Sequence, residues 1–286
     1  MRDRIDPLVA ERAPWLYAPG RITRLMRRFS EWLLNYRETL DIAAQLRGKS
    51  AHEVMSFLTH RLARNVEVEG LGNIPREGPV MIVANHPTGI ADGIILYHAV
   101  RAVRPDIFIF ANSDIMRVLP QMDELILPVE WRTEKRSYEK TKQTMRLTSQ
   151  AMSAGRCGLI FPSGRLAKRR ALRLHEREWM QSAAMIARKF DAPVVPVNIQ
   201  ARNSALFYLL DLIHPTLRDI TLFRETLNKD KQPFRVKIKT PIPSGQLPLR
   251  PAEAIKVLRE ATLSSRGRRT ASVSLVETSP LFAGYS

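Results

Sequence analysis

Seven short apolar segments, separated by stretches of helical periodicity, are the feature that most restricts how this chain can fold. They are rich in Val, Ile and Phe, as buried strands are, and they span residues 66–69, 79–84, 107–111, 124–129, 158–161, 193–199 and 234–240. Helical stretches fall between several of them, at about 92–103, 137–154, 179–190 and 251–263. This alternation predicts an α/β fold, in which helices cover the faces of a sheet.

Two further helices are predicted ahead of the first strand. Residues 20–47 carry apolar side chains at helical spacing, with arginines on the flanks or on the opposite face. Such a helix either lies in a membrane interface or packs on the core with its arginines in water. Ser50 and Glu53 form a capping box, which predicts a second helix over residues 51–64.

Composition bounds the class of protein. The 286 residues allow one large domain or two small ones, and an apolar content of 44% is that of a globular chain. A formal charge of +17 favours an anionic partner, which is nucleic acid, anionic lipid or a phosphorylated substrate. The end of the chain is rich in Ser, Arg and Gly and loses periodicity, so a flexible tail is expected. The predicted organisation is a helical region over 1–64, a main domain over 65–263 and a tail over 264–286.

The sequence also carries signals about the compartment. Cys157 is the single cysteine, so a disulfide framework is excluded and a reducing compartment is expected, with Cys157 as a buried structural thiol. No apolar leader follows Met1, and no window approaches the roughly 20 apolar residues that a spanning helix needs. The expectation is a protein of the cytosol or of a membrane surface.

The second apolar segment is followed by residues 85–93, which contain a His and an Asp six positions apart, His86 and Asp92. The Pro and Gly between them predict a turn that folds the Asp back towards the His, with Thr88 capping the helix that follows. An Asp that orients an imidazole lets it accept a proton from a hydroxyl. The alternative is an ordinary hydrogen-bonded pair with a structural role.

The fifth apolar segment ends in a Pro/Gly turn and a cluster of cations. A glycine there lets a ligand approach the backbone, and the cations could hold a phosphate by charge-assisted hydrogen bonds. The alternative is a solvated basic loop. The candidate binding residues in this block are Ser163, Gly164, Arg165 and Lys168, and Pro162 is a candidate for shaping the pocket.

Two other segments supply candidates. Arg132 follows the strand predicted at 124–129 and is a candidate anion ligand, the alternative being a surface ion pair with Glu130 or Glu134. The sixth segment contains two prolines, which are typical of a strand start or a sheet edge. There Pro196 is a candidate for the wall of a pocket.

Together these blocks resemble the membrane glycerolipid acyltransferases of the lysophosphatidic acid acyltransferase type. The order is the same: a His…Asp block, a strand ending in Arg, a Phe-Pro-x-Gly block and a Val-Pro-Val block, within roughly residues 65–243. The chain is similar to the bacterial hemolysin-like branch, which includes acyltransferases of ornithine lipid synthesis and has blocks like 202–207 and 224–229. The resemblance implies a single central mixed sheet flanked by helices, with helices at the N-terminus.

This sequence departs from the family pattern at two places. Five residues separate His86 from Asp92, where the commonest spacing has four, although the hemolysin-like branch also has five. The usual third block is Phe-Pro-Glu-Gly-Thr-Arg, and here Ser163 replaces the Glu, Arg165 the Thr and Leu166 the Arg. The customary phosphate ligand is therefore missing, and either Arg165 or Lys168 takes its place or the acceptor is a different lipid.

The resemblance implies transfer of a fatty acyl group from acyl-CoA or an acyl-carrier protein to the hydroxyl of a lysolipid, which is lysophosphatidic acid, lyso-ornithine lipid or another lyso-aminolipid. His86 is then the general base, Asp92 orients it, backbone donors near Gly164 stabilise the oxyanion, and Asn85 and Thr88 shape the pocket. No metal and no cofactor are required. The implied partners are an anionic membrane surface, the acyl donor and the lysolipid, and the implied location is the cytoplasmic face of the bacterial inner membrane, as a peripheral protein.

Three other classes compete with this interpretation. The charge permits nucleic-acid binding, but the sequence has no stacking motif, zinc finger or helix-turn-helix pattern, so no nucleic-acid partner is expected. A serine hydrolase is disfavoured because there is no Gly-x-Ser-x-Gly elbow. A lipid-binding protein without catalysis, on the same fold, is the remaining alternative.

Overall fold

The computed structural model describes residues 1–130, 137–171, 173–213, 215–229, 232–264 and 272–274. Its strands are β1 (Val66–Glu69), β2 (Val80–Ala84), β3 (Phe108–Asn112), β4 (Ile126–Val129), β5 (Cys157–Ile160), β6 (Lys168–Arg170), β7 (Arg173–His175), β8 (Val194–Gln200), β9 (Phe234–Ile238) and β10 (Ser272–Ser274). Its helices are α1 (Arg2–Arg12), α2 (Arg21–Leu33), α3 (Tyr36–Gln45), α4 (Ala51–Leu62), α5 (Ile90–Arg101), α6 (Asp114–Val118), α7 (Tyr138–Ser153), α8 (Ser182–Lys189), α9 (Ala205–Ile213), α10 (Pro215–Leu227) and α11 (Pro251–Leu263).

Seven strands form one central mixed sheet in the order β1-β9-β8-β2-β5-β3-β4. The pairs from β8 to β4 are parallel, β8 and β9 are antiparallel, and β9 and β1 are parallel to each other. The five parallel strands therefore end at one edge, where α/β proteins place their sites. The prediction of a mixed sheet flanked by helices is confirmed, and all seven predicted strands are present.

The strand β8 corrects the prediction made from its prolines. Pro196 is buried inside the sheet, where β8 lies between β9 and β2 and not at an edge. The Pro196 carbonyl accepts a hydrogen bond from Lys239 N, just beyond the end of β9. In a strand, the N–H and the carbonyl of one residue point to the same neighbouring strand, which for Pro196 is β9. The hydrogen bond that Pro196 cannot donate would therefore lie just beyond the end of β9, where its loss is tolerated.

The N-terminal helices share one hydrophobic core with the sheet. Ile5 and Leu8 of α1, and Ile42 and Ala43 of α3, are buried in the same cluster as the strands on either side of β2. Residue 65 is therefore not a boundary of the core. This continuity means that the N-terminal helices cannot be removed without exposing the interior.

The helix predicted over 20–47 is two helices, α2 and α3. The break falls at Asn35, whose backbone is left-handed with φ of 50°. One interpretation of this segment required the apolar side of α2 to pack on the core, and it does not. Its large apolar side chains are exposed by 44% to 76%: Ile22, Leu25, Met26, Phe29 and Trp32.

Several elements were not predicted. A small antiparallel sheet, in the order β10-β7-β6, follows the Pro/Gly turn after β5. Residues 272–274 belong to it, although they fall within the predicted tail, whose other residues from 265 onward lie outside the described part of the chain. The helical hairpin of α9 and α10 was also not predicted from the sequence.

Candidate active site

The turn that follows β2 is held at its start by Asn85. The side-chain amide of Asn85 donates to Ile199 O (2.8 Å) and accepts from Ile199 N (2.7 Å), which ties the end of β2 to β8. The next residue is His86, whose carbonyl accepts from Ala167 N at 2.9 Å. The backbone that carries the imidazole is therefore fixed by two neighbouring segments.

The turn itself depends on Gly89 and Asp92. Gly89 has φ of 102°, and a Cβ there would lie 3.2 Å from side-chain atoms of Leu166 and Leu222. Asp92 Oδ2 accepts from the N–H of Thr88 and of Gly89, both at 2.9 Å, while Oδ1 accepts from the Thr88 hydroxyl at 2.5 Å. The prediction that Thr88 caps α5 is wrong, because the carboxylate of Asp92 receives the free N–H groups.

His86 and Asp92 meet as the sequence predicted. His86 Nδ1 lies 2.9 Å from Asp92 Oδ2, with the Asp side chain fully buried and the His side chain 19% exposed. Nδ1 has no partner that meets the angular requirement of a hydrogen bond, so the contact is electrostatic at hydrogen-bond distance. Catalytic hydrogen bonds in free enzymes are often poorly aligned and tighten when substrate binds.

The imidazole is also held by contacts that the sequence did not reveal. The ring of Phe161 stacks on that of His86, with centroids 4.2 Å apart. The buried carboxylate of Glu176 accepts from His86 N and from Trp179 Nε1, both at 3.1 Å. Burial raises the pKa of Glu176, while these donors oppose the shift. The only available signal was that Glu176 is the one acidic residue between Arg165 and Arg177.

The two blocks typical of the hemolysin-like branch come together behind Asp92. Ser204 donates to Glu225 from its N–H (2.8 Å) and its hydroxyl (2.6 Å), and Asn203 Nδ2 donates to Thr88 O (3.3 Å). Lys229 Nζ lies 3.5 Å from Glu225 Oε2. Burial lowers the pKa of Lys229 to about 8, and the negative charges of Glu225 and Asp92 oppose that shift. The two blocks are therefore bonded to each other, and through Asn203 to the backbone of the turn.

A cavity of about 1420 Å³ has His86 on its wall. Its lining is mainly apolar and comes from the N-terminal helices, from α5 and from the carboxyl ends of the strands; examples are Leu8, Leu46, Ile94, Phe110 and Phe161. Cavities for small ligands are typically about 300–1,000 Å³. This one has ample volume for a flexible apolar chain. Seven cationic side chains are among its described lining residues, and Arg165, Arg177 and Arg218 are three of them.

The predicted binding residues separate into two groups. Gly164 and Arg165 line the cavity, whereas Ser163 and Lys168 are not among its described lining residues. Ser163 is buried, and its hydroxyl donates to Arg165 O at 2.8 Å, so it stabilises the turn. Lys168 is exposed in β6, opposite His175, because the chain leaves the site there to form the hairpin. Arg132 lies outside the described residues.

The predicted pocket-shaping residues also divide. Pro162 lines the cavity, and Asn85, Thr88 and Pro196 are not among the described residues that do. All three of these are buried, and they act on the site by holding the backbone of β2, of the turn and of β8. In the described part of the chain, no group of three or more His, Cys, Asp or Glu side chains is arranged to hold a metal ion.

Comparison with known proteins identifies the family. The model of the Acyltransferase family matches residues 65–200. The lyso-glycine lipid O-acyltransferase of Bacteroides thetaiotaomicron is 22% identical over 208 residues, which cover 72% of this chain and 73% of that protein. The same enzyme of Phocaeicola vulgatus is 24% identical over 188 residues, covering 64% and 66%. An uncharacterised protein of Mycobacterium tuberculosis is 29% identical over 194 residues, and the match spans 48% of its length.

Among solved structures, the crystal structure of the 1-acyl-sn-glycerophosphate acyltransferase of Thermotoga maritima matches with a TM-score of 0.49 and 17% identity, covering 92% of this chain and 95% of that one. With the family match, the mixed sheet and the His–Asp turn define this chain as an acyltransferase enzyme. Residues 65–200 are its acyltransferase domain, as the family model defines it.

Proposed function

We propose that this enzyme transfers a fatty acyl group from a thioester, acyl-CoA or acyl-carrier protein, to the hydroxyl of a lysolipid. The observation that supports this most is the position of His86: its Nδ1 lies 2.9 Å from the buried Asp92, and the residue lines a large, mainly apolar cavity. A base next to a space for an acyl chain is what O-acylation needs.

In the proposed mechanism His86 is the general base. Because Asp92 faces Nδ1, the other ring nitrogen, Nε2, is left to take the proton from the acceptor hydroxyl. The hydroxyl oxygen attacks the thioester carbonyl, the C–S bond then breaks, and the proton on Nε2 passes to the departing thiolate. The Asp92 carboxylate stabilises the imidazolium. Because the acceptor hydroxyl attacks the thioester directly, no covalent enzyme intermediate forms.

The donor for the oxyanion is not the N–H of Gly164. That N–H donates to Phe161 O at 2.9 Å and closes the turn, in which Gly164 has φ of 59°. Arg165, at the same turn, lines the cavity and offers a cationic donor. We therefore assign stabilisation of the oxyanion to a cationic or neighbouring backbone donor of this turn.

The favoured acceptor is a lyso-amino-acid lipid with an anionic head group. Arg165, Arg177 and Arg218 line the cavity. Burial lowers the pKa of Arg177, the charges of Arg218 and Arg165 lower it further, and the charges of Asp211 and Glu176 oppose the shift. Arg218 is paired with Asp211 at 3.0 Å, and a bound anionic head group would add to that neutralisation. The two relatives named as lyso-glycine lipid O-acyltransferases support a carboxylate. Lysophosphatidic acid is the second candidate, since the same arginines suit a phosphate.

The acceptor assay tests this proposal. Purified enzyme is given lyso-glycine lipid, lyso-ornithine lipid or lysophosphatidic acid, each with acyl-CoA and with acyl-carrier protein. We expect a diacyl product from a lyso-amino-acid lipid, and the matching lyso species to accumulate in a deletion strain. If lysophosphatidic acid were the single acceptor that is acylated, the proposal of a lyso-amino-acid lipid acceptor would be wrong. Binding of lysolipid without consumption of any thioester would instead indicate a non-catalytic lipid-binding protein.

We also propose that the enzyme works as a peripheral protein at the cytoplasmic face of the bacterial inner membrane, with α2 in the bilayer interface. Among the described helices, none is long and apolar enough to cross a membrane. The exposed apolar side chains of α2 recur at Ile22, Leu25, Phe29 and Trp32, on one face of the helix. Anionic lipid suits the +17 charge of the chain.

Serine at Ile22, Leu25, Phe29 and Trp32 together is expected to weaken binding to phosphatidylglycerol vesicles by at least about tenfold, since burial of each large apolar side chain contributes roughly 1.5–3 kcal/mol. Co-sedimentation measures it. The matched control is Leu249→Ser, at a position 85% exposed. Equal binding of the two variants would contradict the docking of α2. Deletion of residues 1–47 is a poorer test, because it removes core side chains of α1 and α3.

A further inference from the structure

The helix α9 presents an apolar face to solvent. Leu209, Leu212 and Ile213 are 55%, 70% and 65% exposed. Their spacing of three and four residues places them on one side of the helix. Phe207 and Tyr208 of the same helix are buried. The buried face of α9 already anchors the helix to the rest of the protein. The exposed apolar side chains are therefore not explained by packing within the fold.

The hairpin of β6 and β7 packs against α9. Leu174 of β7 is 1% exposed and belongs to the same apolar cluster as Phe207 and Tyr208. From β6, the guanidinium carbon of Arg169 lies 5.7 Å from the centroid of the Tyr208 ring. Tyr208 and Leu212 are four residues apart and therefore neighbours on the helix, so the contact of Arg169 with Tyr208 places this cation next to the apolar face of α9. We call the exposed apolar face of α9 and the hairpin together the α9–hairpin surface.

The hairpin is strongly cationic. Arg170 and Arg173 are exposed and lie directly opposite each other in the register of β6 and β7, and Lys168 is exposed on the same strand. Like charges at opposed positions destabilise a hairpin. Burial and the charges of Arg170 and Arg173 lower the pKa of His175. The one acidic residue of this stretch, Glu176, is buried and bonded to His86. The hairpin therefore concentrates positive charge.

We propose that the α9–hairpin surface is a second membrane-contact surface, which inserts Leu209, Leu212 and Ile213 into the interface of an anionic bilayer and places the hairpin cations against the lipid phosphates. A bilayer is the occupant that uses both halves of the surface. A free phosphate, or a partner whose contacting surface is entirely charged, would satisfy the cations and leave the three apolar side chains in water. A second copy of this cationic chain would bring like charges together.

The proposal rests on the proposed function only in supposing that the acceptor resides in a bilayer. It connects membrane contact to the site through short paths. Ala167 N, just before the hairpin, donates to His86 O at 2.9 Å, and Glu176, just after it, accepts from His86 N at 3.1 Å. The partner of α9 in its helical pair, α10, lines the cavity with Arg218 and Leu222.

Vesicle binding tests the surface with two variants. The apolar variant is Leu209→Ser with Leu212→Ser and Ile213→Ser, and the charge variant is Arg170→Gln with Arg173→Gln. Co-sedimentation is measured with vesicles of phosphatidylcholine, with and without phosphatidylglycerol, in the wild type and in a chain that already carries the four α2 substitutions. Leu249→Ser is the control, and thermal unfolding confirms that each variant is folded.

We expect the apolar variant to lose at least roughly tenfold in affinity for phosphatidylglycerol vesicles in both backgrounds. The charge variant should lose roughly tenfold or more on phosphatidylglycerol vesicles and little on phosphatidylcholine alone. Both variants should keep wild-type acyl transfer to acceptor dissolved in detergent micelles, since none of the five residues is among the described lining of the cavity.

Three results would overturn the proposal. The first is unchanged vesicle binding by the apolar variant in both backgrounds. The second is a charge variant that loses binding to acyl-carrier protein in the absence of lipid but keeps its binding to vesicles, which would make the hairpin a protein-docking site. The third is a wild-type dimer that the apolar variant dissociates, which would make α9 an interface between copies. Vesicle binding through α9 without any acyl transfer would refute the proposed function and leave this inference intact.

Discussion

Replacing His86 with Ala is expected to lower the rate of acyl transfer by about 10²–10⁴, the usual contribution of a positioned general base. The fold should survive, because the bonds that hold this residue, from Ala167 N to His86 O and from His86 N to Glu176, come from its backbone. The lost contacts are the stacking of the imidazole on Phe161 and the approach of Nδ1 to Asp92. Turnover of a lysolipid with a saturating thioester measures the effect.

The matched control is His98→Ala, which removes an exposed imidazole from α5, the helix that carries Asp92. This variant should keep wild-type activity. A second comparison, His86→Gln, keeps a side chain of similar length next to Phe161 but cannot act as a base, so it should be as inactive as the Ala variant. Near-normal turnover by either His86 variant would show that His86 is not the general base.

The second large effect is expected at Asp92, where two substitutions separate chemistry from folding. In Asp92→Asn the amide oxygen can still accept from the N–H groups of Thr88 and Gly89, and the amide nitrogen can donate to the Thr88 hydroxyl, which rotates to accept. The turn is kept, but the charge that stabilises the imidazolium is lost. We expect activity to fall by about 10²–10⁴ with little change in unfolding free energy.

Asp92→Ala should instead damage the fold as well. Two buried N–H groups lose their acceptor, and each unsatisfied group costs about 1–3 kcal/mol, so the free energy of unfolding should fall by about 2–6 kcal/mol. Chemical denaturation of both variants, alongside the acylation assay, measures the difference. A fully active Asp92→Asn enzyme would show that the carboxylate serves only the turn.

The sheet could be predicted from the sequence because buried parallel strands are short, continuous apolar runs, and each of the seven runs became a strand. The hairpin could not, because β6 is Lys168–Arg170 and β7 is Arg173–His175, three residues each and mostly charged. Their stability comes from Leu174, packed on α9. That contact joins distant segments and has no local periodicity. The break at Asn35 was missed because apolar spacing continues across it.

The site was predictable to the extent that its residues are close in sequence. His86 and Asp92 belong to one turn, and a Pro and a Gly mark that turn. Glu176 is separated from His86 by 90 residues and reaches it only through the hairpin. The position of Pro196 was misjudged because a missing N–H usually indicates an edge, whereas here a neighbouring strand ends beside it.

The attachment of the hairpin to both sides of His86 has a consequence for how such enzymes diverge. Ala167 and Glu176 bond to the carbonyl and the N–H of one residue, His86. The segment between them is therefore a module whose two ends are fixed at the same point of the structure. Its tip can change in length or charge while the imidazole stays where it is. Swapping this module between homologues is therefore a way to re-engineer surface preference without rebuilding the reaction centre.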